Sequence, residues 1–395
     1  MAAHLRIVHC FRSPVGGIFR HVRDLTEAQV AAGHSVGIVC DSTTGGDYEE
    51  RLFDAMKESL ALGIHRTPMQ RHVGPGDIAA AWRTYGIIKE LRPDVLHGHG
   101  AKGGAYARLF GSLLRVSRYR VARLYSPHGG SLHYDETTAT GKLFFALERL
   151  MARFTDCLLF VSDYERKTYR RKVGEPPIPN RLVYNGLRAV EFEPVVTAAD
   201  AADLLYIGMM RDLKGPDIFI DALAQAGSEL GRPLSAVMVG NGDDLPHYHA
   251  QVERLGLKGH VRFLPPMPAR EAFALSALIV VPSRAEAMPY IVLEALAAGR
   301  PMIATAVGGI PEIFGETSPA LIRPDAGQLA DRLRTALDDP GAYRAGQLAD
   351  RLRTALDDPG AYRKLMPQGA ELKARFGADV MAAEIEKAYF AALRG

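Results

Sequence analysis

The chain has few cysteines, on which small secreted and metal-stabilised proteins depend. Among 395 residues there are 3. A small, odd number of cysteines argues against a disulfide framework, and the spacing of Cys10, Cys40 and Cys157 matches no zinc site. All three stand in apolar, strand-like runs. We therefore expect buried, reduced thiols in a cytoplasmic protein.

Long hydrophobic runs are also missing. The longest, such as Leu278 to Pro282, fall far short of the roughly 20 apolar residues that span a bilayer. The stretch from Met1 to Val8 has no hydrophobic region followed by a cleavage site, and it is typical of the first strand of a fold. The sequence predicts a cytoplasmic location, with peripheral contact at the inner face of the membrane as the alternative.

The formal net charge is only +3, but the basic residues are unevenly distributed. From Lys102 to Lys172 there are 14 Lys or Arg against 6 Asp or Glu. The ordinary explanation is a solvated basic face. The alternative is weak contact with anionic membrane or with a lipid that carries a diphosphate. Nucleic acid is not expected as a partner, because no recognition motif or aromatic interleaving accompanies the charge.

Apolar, β-branched runs alternate with helical patterns almost throughout the chain. The first part predicts strands at Leu5–Cys10, Ser35–Cys40, Val95–His97, Arg123–Ser126, Cys157–Ser162 and Leu182–Tyr184, with helices at Arg20–Ala32, Ile78–Leu91, Ala101–Leu114 and Gly141–Arg153. The second part predicts strands at Leu204–Ile207, Ser235–Val239, Val261–Leu264, Leu278–Val281 and Met302–Ala304. This alternation predicts an α/β protein with parallel sheets covered on both faces.

The alternation breaks in an Ala/Thr/Asp-rich stretch, which predicts two domains. The predicted limits are residues 1–190 for an N-terminal domain, 191–202 for a linker and 203–375 for a C-terminal domain. A last helix in 376–395 is expected to return to the first domain. Ligands of such sheets bind beyond the carboxyl ends of the strands, so we expect two doubly wound Rossmann-like domains facing across a cleft that holds the ligand.

A tandem duplication interrupts the second domain. Residues 326–344 read AGQLADRLRTALDDPGAYR, and residues 345–363 repeat them without a difference. Two units are too few for a solenoid. Each copy has leucines at helical spacing and ends in Asp-Asp-Pro-Gly, which stops a helix. We expect two short helices joined by a tight turn, of which only one can occupy a packing groove.

The most informative motif carries two glutamates. Glu286 and Glu294 stand in VPSRAEAMPYIVLEALAAG, which runs from a strand end through a loop into a helix. Pro289 suits the first helical turn, where its missing N–H costs nothing. The N–H groups of Tyr290 and Ile291 would then form an anion or hydroxyl site. Two carboxylates at this spacing can bracket a polyhydroxyl ligand; by themselves they would be a surface and a helix-face glutamate.

Other strand ends of the second domain carry cations and glycines. Arg211 and Lys214 follow its first strand, immediately before Gly215, and suit a diphosphate. By themselves they would be surface cations. Gly242 follows another strand, and Gly308-Gly309 precede Glu312 after a fourth. Glycines at such turns let the backbone approach a ligand closely.

Together these motifs resemble the family 4 retaining glycosyltransferases, which have the GT-B fold. The Glu-x7-Glu pair, Arg-x-x-Lys-Gly and Gly-Gly-x-x-Glu stand in the family's order and spacing. The first domain agrees with this in its Gly-Gly loop before His21, its His97-Gly-His99 and Pro127-His-Gly129 strand ends, and its Asn185-Gly186 turn. The resemblance spans nearly the whole chain. Among members of the family, the chain most resembles enzymes of bacterial exopolysaccharide and surface-glycan assembly.

The resemblance implies a role for each matched residue of the second domain. Arg211 and Lys214 would hold the donor diphosphate, Glu294 would bind ribose hydroxyls, and Glu286 would bind the transferred sugar. The implied donor contacts also include Gly242, Met288, Pro289, Tyr290 and Ile291. Pro265, where the family often has a glycine loop near the base, removes a backbone donor, so the nucleobase is left open.

In the first domain, Gly16 and Gly17 would admit the donor phosphate closely, and His128 would contact the sugar near its anomeric centre. The implied catalytic set is His128, Glu286, Arg211 and Lys214. No Asp-x-Asp metal motif is present, so no metal and no cofactor are expected, and protein cations would stabilise the leaving nucleoside diphosphate. The expected activity is retaining transfer from a nucleotide sugar to an acceptor, implied to be a polyprenyl-linked glycan in polysaccharide assembly.

Three other functions remain open at this point. A nucleotide-sugar epimerase of the same fold would turn over donor without acceptor, and a non-catalytic sensor would bind donor without releasing nucleoside diphosphate. An NAD-dependent dehydrogenase would use Asp41, which ends the second strand about where a ribose-binding acid stands. However, the loop Ser13-Pro-Val-Gly16-Gly17 is not Gly-x-Gly-x-x-Gly.

Overall fold

The computed structural model describes most of the chain and forms two compact units. The described residues are 4–70, 75–117, 120–318, 320–322, 352, 355, 356, 358–364, 366, 367 and 369–394. One unit consists of Met1–Arg188 with Phe376–Gly395, and the other of Ala189–Arg375. Each unit contains one parallel sheet with helices between successive strands. The predicted α/β class with two doubly wound parallel sheets is confirmed.

The first unit has a seven-stranded sheet in the order β3-β2-β1-β4-β5-β6-β7. Its strands are β1 Arg6–Phe11, β2 Ser35–Asp41, β3 Ile64–Thr67, β4 Val95–His99, β5 Ala122–Ser126, β6 Cys157–Phe160 and β7 Asn180–Leu182. Its helices before the second unit are α1 Gly16–Ala31, α2 Asp47–Lys57, α3 Pro75–Leu91, α4 Gly100–Val116, α5 Ala139–Ala152 and α6 Asp163–Lys172.

Both faces of this sheet are covered, which explains the continuous apolar strands. Neighbouring residues of β1 pack into different cores. Ile7 packs with Leu25 of α1, whereas Val8 packs with Ile88 of α3 and Phe110 of α4. Successive side chains of a strand point to opposite faces, so a run with no polar position requires apolar cover on both sides.

The second unit has a six-stranded sheet in the order β10-β9-β8-β11-β12-β13. Its strands are β8 Ala202–Ile207, β9 Ala236–Val239, β10 Val261–Leu264, β11 Ser276–Val281, β12 Met302–Thr305 and β13 Leu321–Ile322. Its helices are α7 Pro216–Glu229, α8 Leu245–Arg254, α9 Ala269–Phe273, α10 Tyr290–Ala297, α11 Ile310–Phe314, α12 Pro359–Lys364 and α13 Gly369–Phe376.

The last helix, α14 Ala378–Arg394, packs in the first unit. Met381, Ile385 and Tyr389 join the core that contains Leu25 and Leu124. The turn at Gly186 explains the close approach, because a Cβ there would lie 2.6 Å from the Cα of Ala378. A glycine is therefore needed at position 186 for packing.

Several elements differ from those predicted by periodicity. The edge strand β3 has a polar, half-buried sequence, IHRT, and β13 has only two residues, so neither produced an apolar run. Strand β7 is Asn180–Leu182, two residues earlier than predicted, since it pairs with β6 from Asn180. The helices expected in the duplication, 326–344/345–363, lie mostly outside the described residues. In the second copy the described Leu352 and Tyr362 are buried.

Candidate functional site

Each sheet has one point where the strand order changes direction, and the predicted site residues follow the strands there. In the first sheet the point lies between β1 and β4, and in the second between β8 and β11. Loops after the strands beside such a point diverge and leave a crevice for a ligand. Gly16 and Gly17 follow β1, Arg211 and Lys214 follow β8, and Glu286 follows β11.

In the second unit two predicted residues contact each other directly. Nζ of Lys214 lies 2.6 Å from Oε1 of Glu286, and the hydroxyl of Ser283 donates to the same oxygen at 2.7 Å. Glu286 is 8% exposed, whereas the Lys214 side chain retains 27%. The cation is thus accessible to an incoming anion, and the carboxylate beneath it is fixed by two donors.

Arg284, which sequence reasoning missed, joins the same two loops. Its backbone N–H donates to the carbonyl of Leu213 at 2.9 Å, and its guanidinium donates to Asp217 at 2.8 Å and to the carbonyl of Asp212 at 2.7 Å. The hydrogen bond with Asp217 raises the pKa of Arg284. The only signal in the sequence was an arginine two residues before Glu286, and nothing indicated its partner.

The glycines of the second unit let these loops pack against one another. A Cβ at Gly308, where φ is +61°, would overlap the carbonyl oxygen of Glu286. A Cβ at Gly242 would overlap the carbonyl oxygen of Met210. Close loop contact therefore explains both glycines, and the donor contact expected of Gly242 stays a prediction.

Arg211 lies just before a short 3-10 turn, Asp212–Lys214, in extended conformation. Its Nε is buried, and within the described part of the chain it has no hydrogen-bond partner. A buried guanidinium nitrogen without an acceptor is costly, because such groups are normally satisfied. An anionic ligand at this loop would supply the missing acceptor.

Helix α10 begins at Tyr290, one residue later than predicted. Pro289 precedes the helix with ψ 124° and serves as its N-cap, so it does not lie in the first helical turn. No side chain caps this end. Met288 and Tyr290 are buried, Ile291 is partly exposed, and Glu294 on α10 is 8% exposed. The N-terminus of α10, which is the positive end of its dipole, follows Glu286 by four residues in the sequence.

In the first unit, α1 begins with the two predicted glycines. Gly16 has φ +65°, and both glycines are exposed. No side chain caps the helix, and no acidic residue stands in its first turn. A long helix with an exposed, uncapped glycine start is a favourable place for a phosphate group.

His128 has a left-handed backbone, with φ +50°. This conformation is uncommon for a residue with a side chain and is maintained only where neighbours fix it. The N–H of Gly129 donates to Glu165 at 2.5 Å, and the hydroxyl of Ser131 donates to Glu148 at 2.9 Å. Two buried carboxylates thus hold the part of the loop that follows His128.

His128 belongs to a cluster of five histidines, which sequence reasoning did not foresee. The other members are His9 on β1, His21 on α1, and His97 and His99 on β4. Burial lowers the pKa of His9 and of His21 to about 4, and it lowers the pKa of the other three as well. All five rings are therefore neutral near pH 7. Alternation along β4 could have indicated that His97 and His99 share one face.

Two sets of these histidines have nitrogens close enough for one metal ion. In the set His9, His97 and His99, and in the set His21, His99 and His128, the donor atoms lie within 4.8 Å of one another. Neutral imidazoles are good ligands for zinc, nickel or copper. The absence of a metal from the reaction stays a prediction.

Asp41 does not suit the ribose of a dinucleotide. It is buried, and it accepts hydrogen bonds from the hydroxyls of Thr43 and Thr44 and from the N–H of Met69. Although burial opposes the shift, these bonds lower its pKa. The carboxylate is used to close its own loop, which removes the main feature that favoured a dehydrogenase.

The basic segment 102–172 combines paired cations with exposed leucines. Several of its cations form ion pairs, as Arg115 and Arg123 do with Asp156. The exposed apolar side chains stand at helical spacing on two helices, namely Leu109, Leu113 and Val116 on α4 and Leu143, Leu147 and Leu150 on α5. Arg108 of α4 contacts Glu148 of α5 at 2.8 Å, so the two helices are neighbours.

Comparison with known families identifies the family of the chain. Residues 16–186 match the glycosyl transferase 4-like domain, and residues 201–339 match the glycosyl transferases group 1 domain. The chain belongs to the family 4 glycosyltransferases of the GT-B fold. The predicted enzyme class is confirmed. In the part of the chain that the structure describes, every helix is too short or too polar to cross a membrane.

Relatives with known names are glycosyltransferases of differing specificity. The chain is similar to D-inositol 3-phosphate glycosyltransferase of Kribbella flavida, at 29% identity over 63% of this chain and 64% of that protein. It is also similar to the enzyme of that name from Nocardioides, at 27% over 82% and 78%, and to glycogen synthase of Mycobacterium tuberculosis, at 26% over 83% and 84%.

Two solved structures share the fold over almost the whole chain. HepE of Anabaena, solved in complex with UDP-glucose, aligns with a TM-score of 0.70 at 17% identity, covering 98% of this chain and 100% of that one. Sucrose-phosphate synthase of Thermosynechococcus elongatus aligns with a TM-score of 0.66 at 20% identity, covering 98% of each chain.

Proposed function

We propose that the protein transfers a hexose from a nucleoside-diphosphate sugar to a lipid-linked glycan acceptor, with retention of the anomeric configuration. The observation that carries the donor half is the Lys214–Glu286 pair at the switch point of the second sheet, 2.6 Å apart. An accessible ammonium above a fixed carboxylate suits a ligand that joins a diphosphate to a polyhydroxyl ring.

The donor diphosphate would bind Arg211 and Lys214. This is supported by the buried Nε of Arg211, which has no partner among the described residues. Glu286 would bind sugar hydroxyls with the backbone from Met288 to Ile291, and Glu294 would bind the ribose. Gly16 and Gly17 would meet phosphate at the exposed start of α1, and His128 would contact the sugar. HepE was solved with UDP-glucose, so UDP-glucose is the first donor to test.

The chemistry requires stabilisation of a leaving diphosphate and of a sugar with oxocarbenium character. Arg211 and Lys214 would take up the developing negative charge. In the proposed front-face step, the bond from the anomeric carbon to the diphosphate oxygen breaks as the acceptor oxygen bonds on the same face. The acceptor proton passes to the leaving diphosphate. No protein nucleophile and no metal are assigned to this step.

The acceptor half is supported by the surface of α4 and α5. Exposed leucines on both helices lie in the same unit as a depression of about 290 Å³ lined by Glu136, Phe145 and four cations, which are Lys142, Arg149, Arg171 and Lys172. Apolar side chains that enter a membrane interface and cations that meet phosphate are the two features of peripheral binding. We propose contact with the anionic inner face of the membrane through segment 102–172.

The test uses purified full-length protein and a panel of nucleotide sugars that begins with UDP-glucose. Polyprenyl-diphosphate-linked glycans in vesicles serve as acceptors, and transfer is measured as radiolabel in the lipid fraction, with and without excess EDTA. We expect label in lipid, unchanged by chelation, with retained configuration by NMR. Donor turnover without acceptor would favour the epimerase, and binding without nucleotide release would favour the sensor.

Membrane contact is tested separately by flotation. The wild type should float with anionic vesicles and less with neutral ones, and salt should release it. Leu143→Ser/Leu147→Ser should weaken flotation, whereas Ile78→Ser, on an exposed residue of α3, serves as the matched control. Equal flotation with neutral and anionic vesicles would leave the segment as an ordinary solvated face.

A further inference from the structure

The buried histidines are linked in a continuous hydrogen-bonded chain that ends at His128. Nε2 of His9 lies 2.8 Å from Oε1 of Gln29, Nδ1 of His9 lies 3.0 Å from Nε2 of His99, and Nδ1 of His99 lies 3.1 Å from Nε2 of His128. These residues come from α1, β1, β4 and the loop after β5. The chain thus crosses the switch point of the first sheet.

Gln29 has partners on both ends of its amide. Its Nε2 donates to the hydroxyl of Tyr389 at 3.2 Å, while its Oε1 faces His9. The Tyr389 hydroxyl, which accepts from Gln29, also lies 2.8 Å from Nδ1 of His97. Nε2 of His97 lies 2.9 Å from the hydroxyl of Ser126, two residues before His128. Tyr389 on α14 and Ser126 thus anchor the amide and the strand end.

We call the hydrogen-bonded chain from Gln29 through His9 and His99 to His128 the relay. Each of its three rings is neutral, so each has one N–H and one lone pair. Because Oε1 of Gln29 only accepts, Nε2 of His9 must carry the proton and Nδ1 of His9 the lone pair. His99 must then donate from Nε2 and accept at Nδ1. It follows that His128 donates from Nε2. Its Nδ1 is left as an acceptor, and among the described residues no group hydrogen-bonds to that atom.

We propose that Gln29, His9 and His99 are positioning residues that hold His128 in the Nε2–H tautomer, so that its Nδ1 accepts a hydrogen bond from a hydroxyl of the transferred sugar. The inference rests on the proposed function insofar as the sugar is the ligand of His128. Because the buried amide of Gln29 fixes the tautomer in advance, none has to be selected when the ligand binds, and Nδ1 of the partly exposed residue His128 stays an acceptor.

A bound metal is the competing explanation, because His9, His97 and His99 could also bind one ion. A metal ion would bind a nitrogen lone pair of each ring. The N–H groups that now form hydrogen bonds between the rings would then have to move to other nitrogens. Elemental analysis of purified wild-type protein separates the two. The relay predicts no stoichiometric zinc, nickel, copper or iron, and one equivalent of any of these that is lost on mutation of His99 would overturn it.

The direct test is long-range proton–nitrogen NMR of the full chain labelled with ¹⁵N-histidine. Signals of His128 are assigned from their disappearance in His128→Gln. We expect a protonated Nε2 and an unprotonated Nδ1 for His9, His99 and His128 alike. A protonated Nδ1 on His128 would overturn the proposal, and this outcome does not depend on whether any nucleotide sugar is a substrate.

The variant Gln29→Met removes the acceptor that sets the relay, and Gln251→Met is the matched control. Gln251 is a buried glutamine of α8 in the second unit, 4% exposed and hydrogen-bonded to Asp221. We expect Gln29→Met to give mixed tautomers at His128 and transfer from UDP-glucose lowered about tenfold, as for loss of one hydrogen bond. Gln251→Met should change neither. An unaltered His128 spectrum in Gln29→Met would contradict the relay even if activity fell.

Discussion

Nζ of Lys214 lies 2.6 Å from Oε1 of Glu286, and this contact joins the loops that follow the two central strands of the second sheet. Sequence reasoning assigned the two residues to different parts of the donor, the diphosphate and the sugar. Because the two side chains are in direct contact, they form a single site. The carboxylate of Glu286 orients the ammonium group of Lys214 before any ligand binds.

Replacing the cations of this loop should weaken donor binding. In Lys214→Ala or Arg211→Ala, the loss of a charge-assisted phosphate contact should cost about 1.5–3 kcal/mol of binding free energy. Lys258→Ala is the matched control, because Lys258 is 82% exposed and pairs with Glu253 on the surface. Calorimetric titration gives the affinity, and thermal denaturation shows whether the fold persists. Near-normal affinity in the double variant would contradict the assignment.

Close packing of the loops should make Gly308 sensitive to a single methyl group. Gly308→Ala and Gly256→Ala both place alanine at positive φ, at +61° and +69°, which costs roughly 1–2 kcal/mol in each. Only at Gly308 does the new Cβ also overlap Glu286, since nothing lies within 4 Å at Gly256. The free energy of unfolding should therefore fall more in Gly308→Ala, together with donor affinity. Equal losses in the two variants would show that loop contact is unimportant.

Much of the fold followed from local signals that tertiary contacts reinforce. The central strands were predicted because both faces are buried, so β1 and β11 lack polar positions apart from one or two residues. The edge strand β3, IHRT, was missed because all but its last residue are only partly buried, so its sequence has no apolar run. Gly215 was correctly predicted to open a helix, as the residue preceding Pro216.

Only those residues of the site that stand in local sequence motifs could be predicted. Arg211, Lys214 and Glu286 stand in recognisable local patterns, and the structure brings Lys214 and Glu286 into contact. Partners distant in sequence gave no signal. Gln29 and Tyr389 are 360 residues apart and meet only after α14 has packed on α1. A buried hydrogen-bond chain of this kind depends on tertiary packing, which periodicity does not encode.

The neutral histidines should make the protein sensitive to mild acid. His9 and His21 have pKa values of about 4 in the folded chain against 6.5 ordinarily, since burial disfavours the charged ring. Between these values the unfolded chain binds more protons, so the free energy of unfolding falls as pH falls, by about 1.4 kcal/mol per pH unit for each such histidine.

Urea denaturation between about pH 7.5 and pH 5 measures this slope, and in that range carboxylates with ordinary pKa values hardly titrate. Stability should be nearly constant above pH about 6.5 and should decline below it. A constant free energy of unfolding down to pH 5 would show that the histidines are not held neutral.

Removing one copy of the duplication should preserve activity and match or raise thermal stability. The copies are identical, so deletion of 326–344 or of 345–363 gives the same chain. In the second copy the described residues Leu352, Ala355 and Tyr362 are buried. All proposed donor residues precede the duplication. A shortened protein that folds, by circular dichroism, but has lost transfer would assign a role to the extra copy.

The nucleotide-sugar site that we propose in the second unit is built on Arg211, Lys214 and Glu286. Its most direct measurement is calorimetric titration of the wild type and of Arg211→Ala/Lys214→Ala with a panel of nucleotide sugars that includes UDP-glucose. We expect saturable one-to-one binding of at least one nucleotide sugar by the wild type, and binding weakened at least about tenfold in the folded double variant. No binding of any nucleotide sugar by the wild type, or equal binding by both proteins, would contradict the proposal.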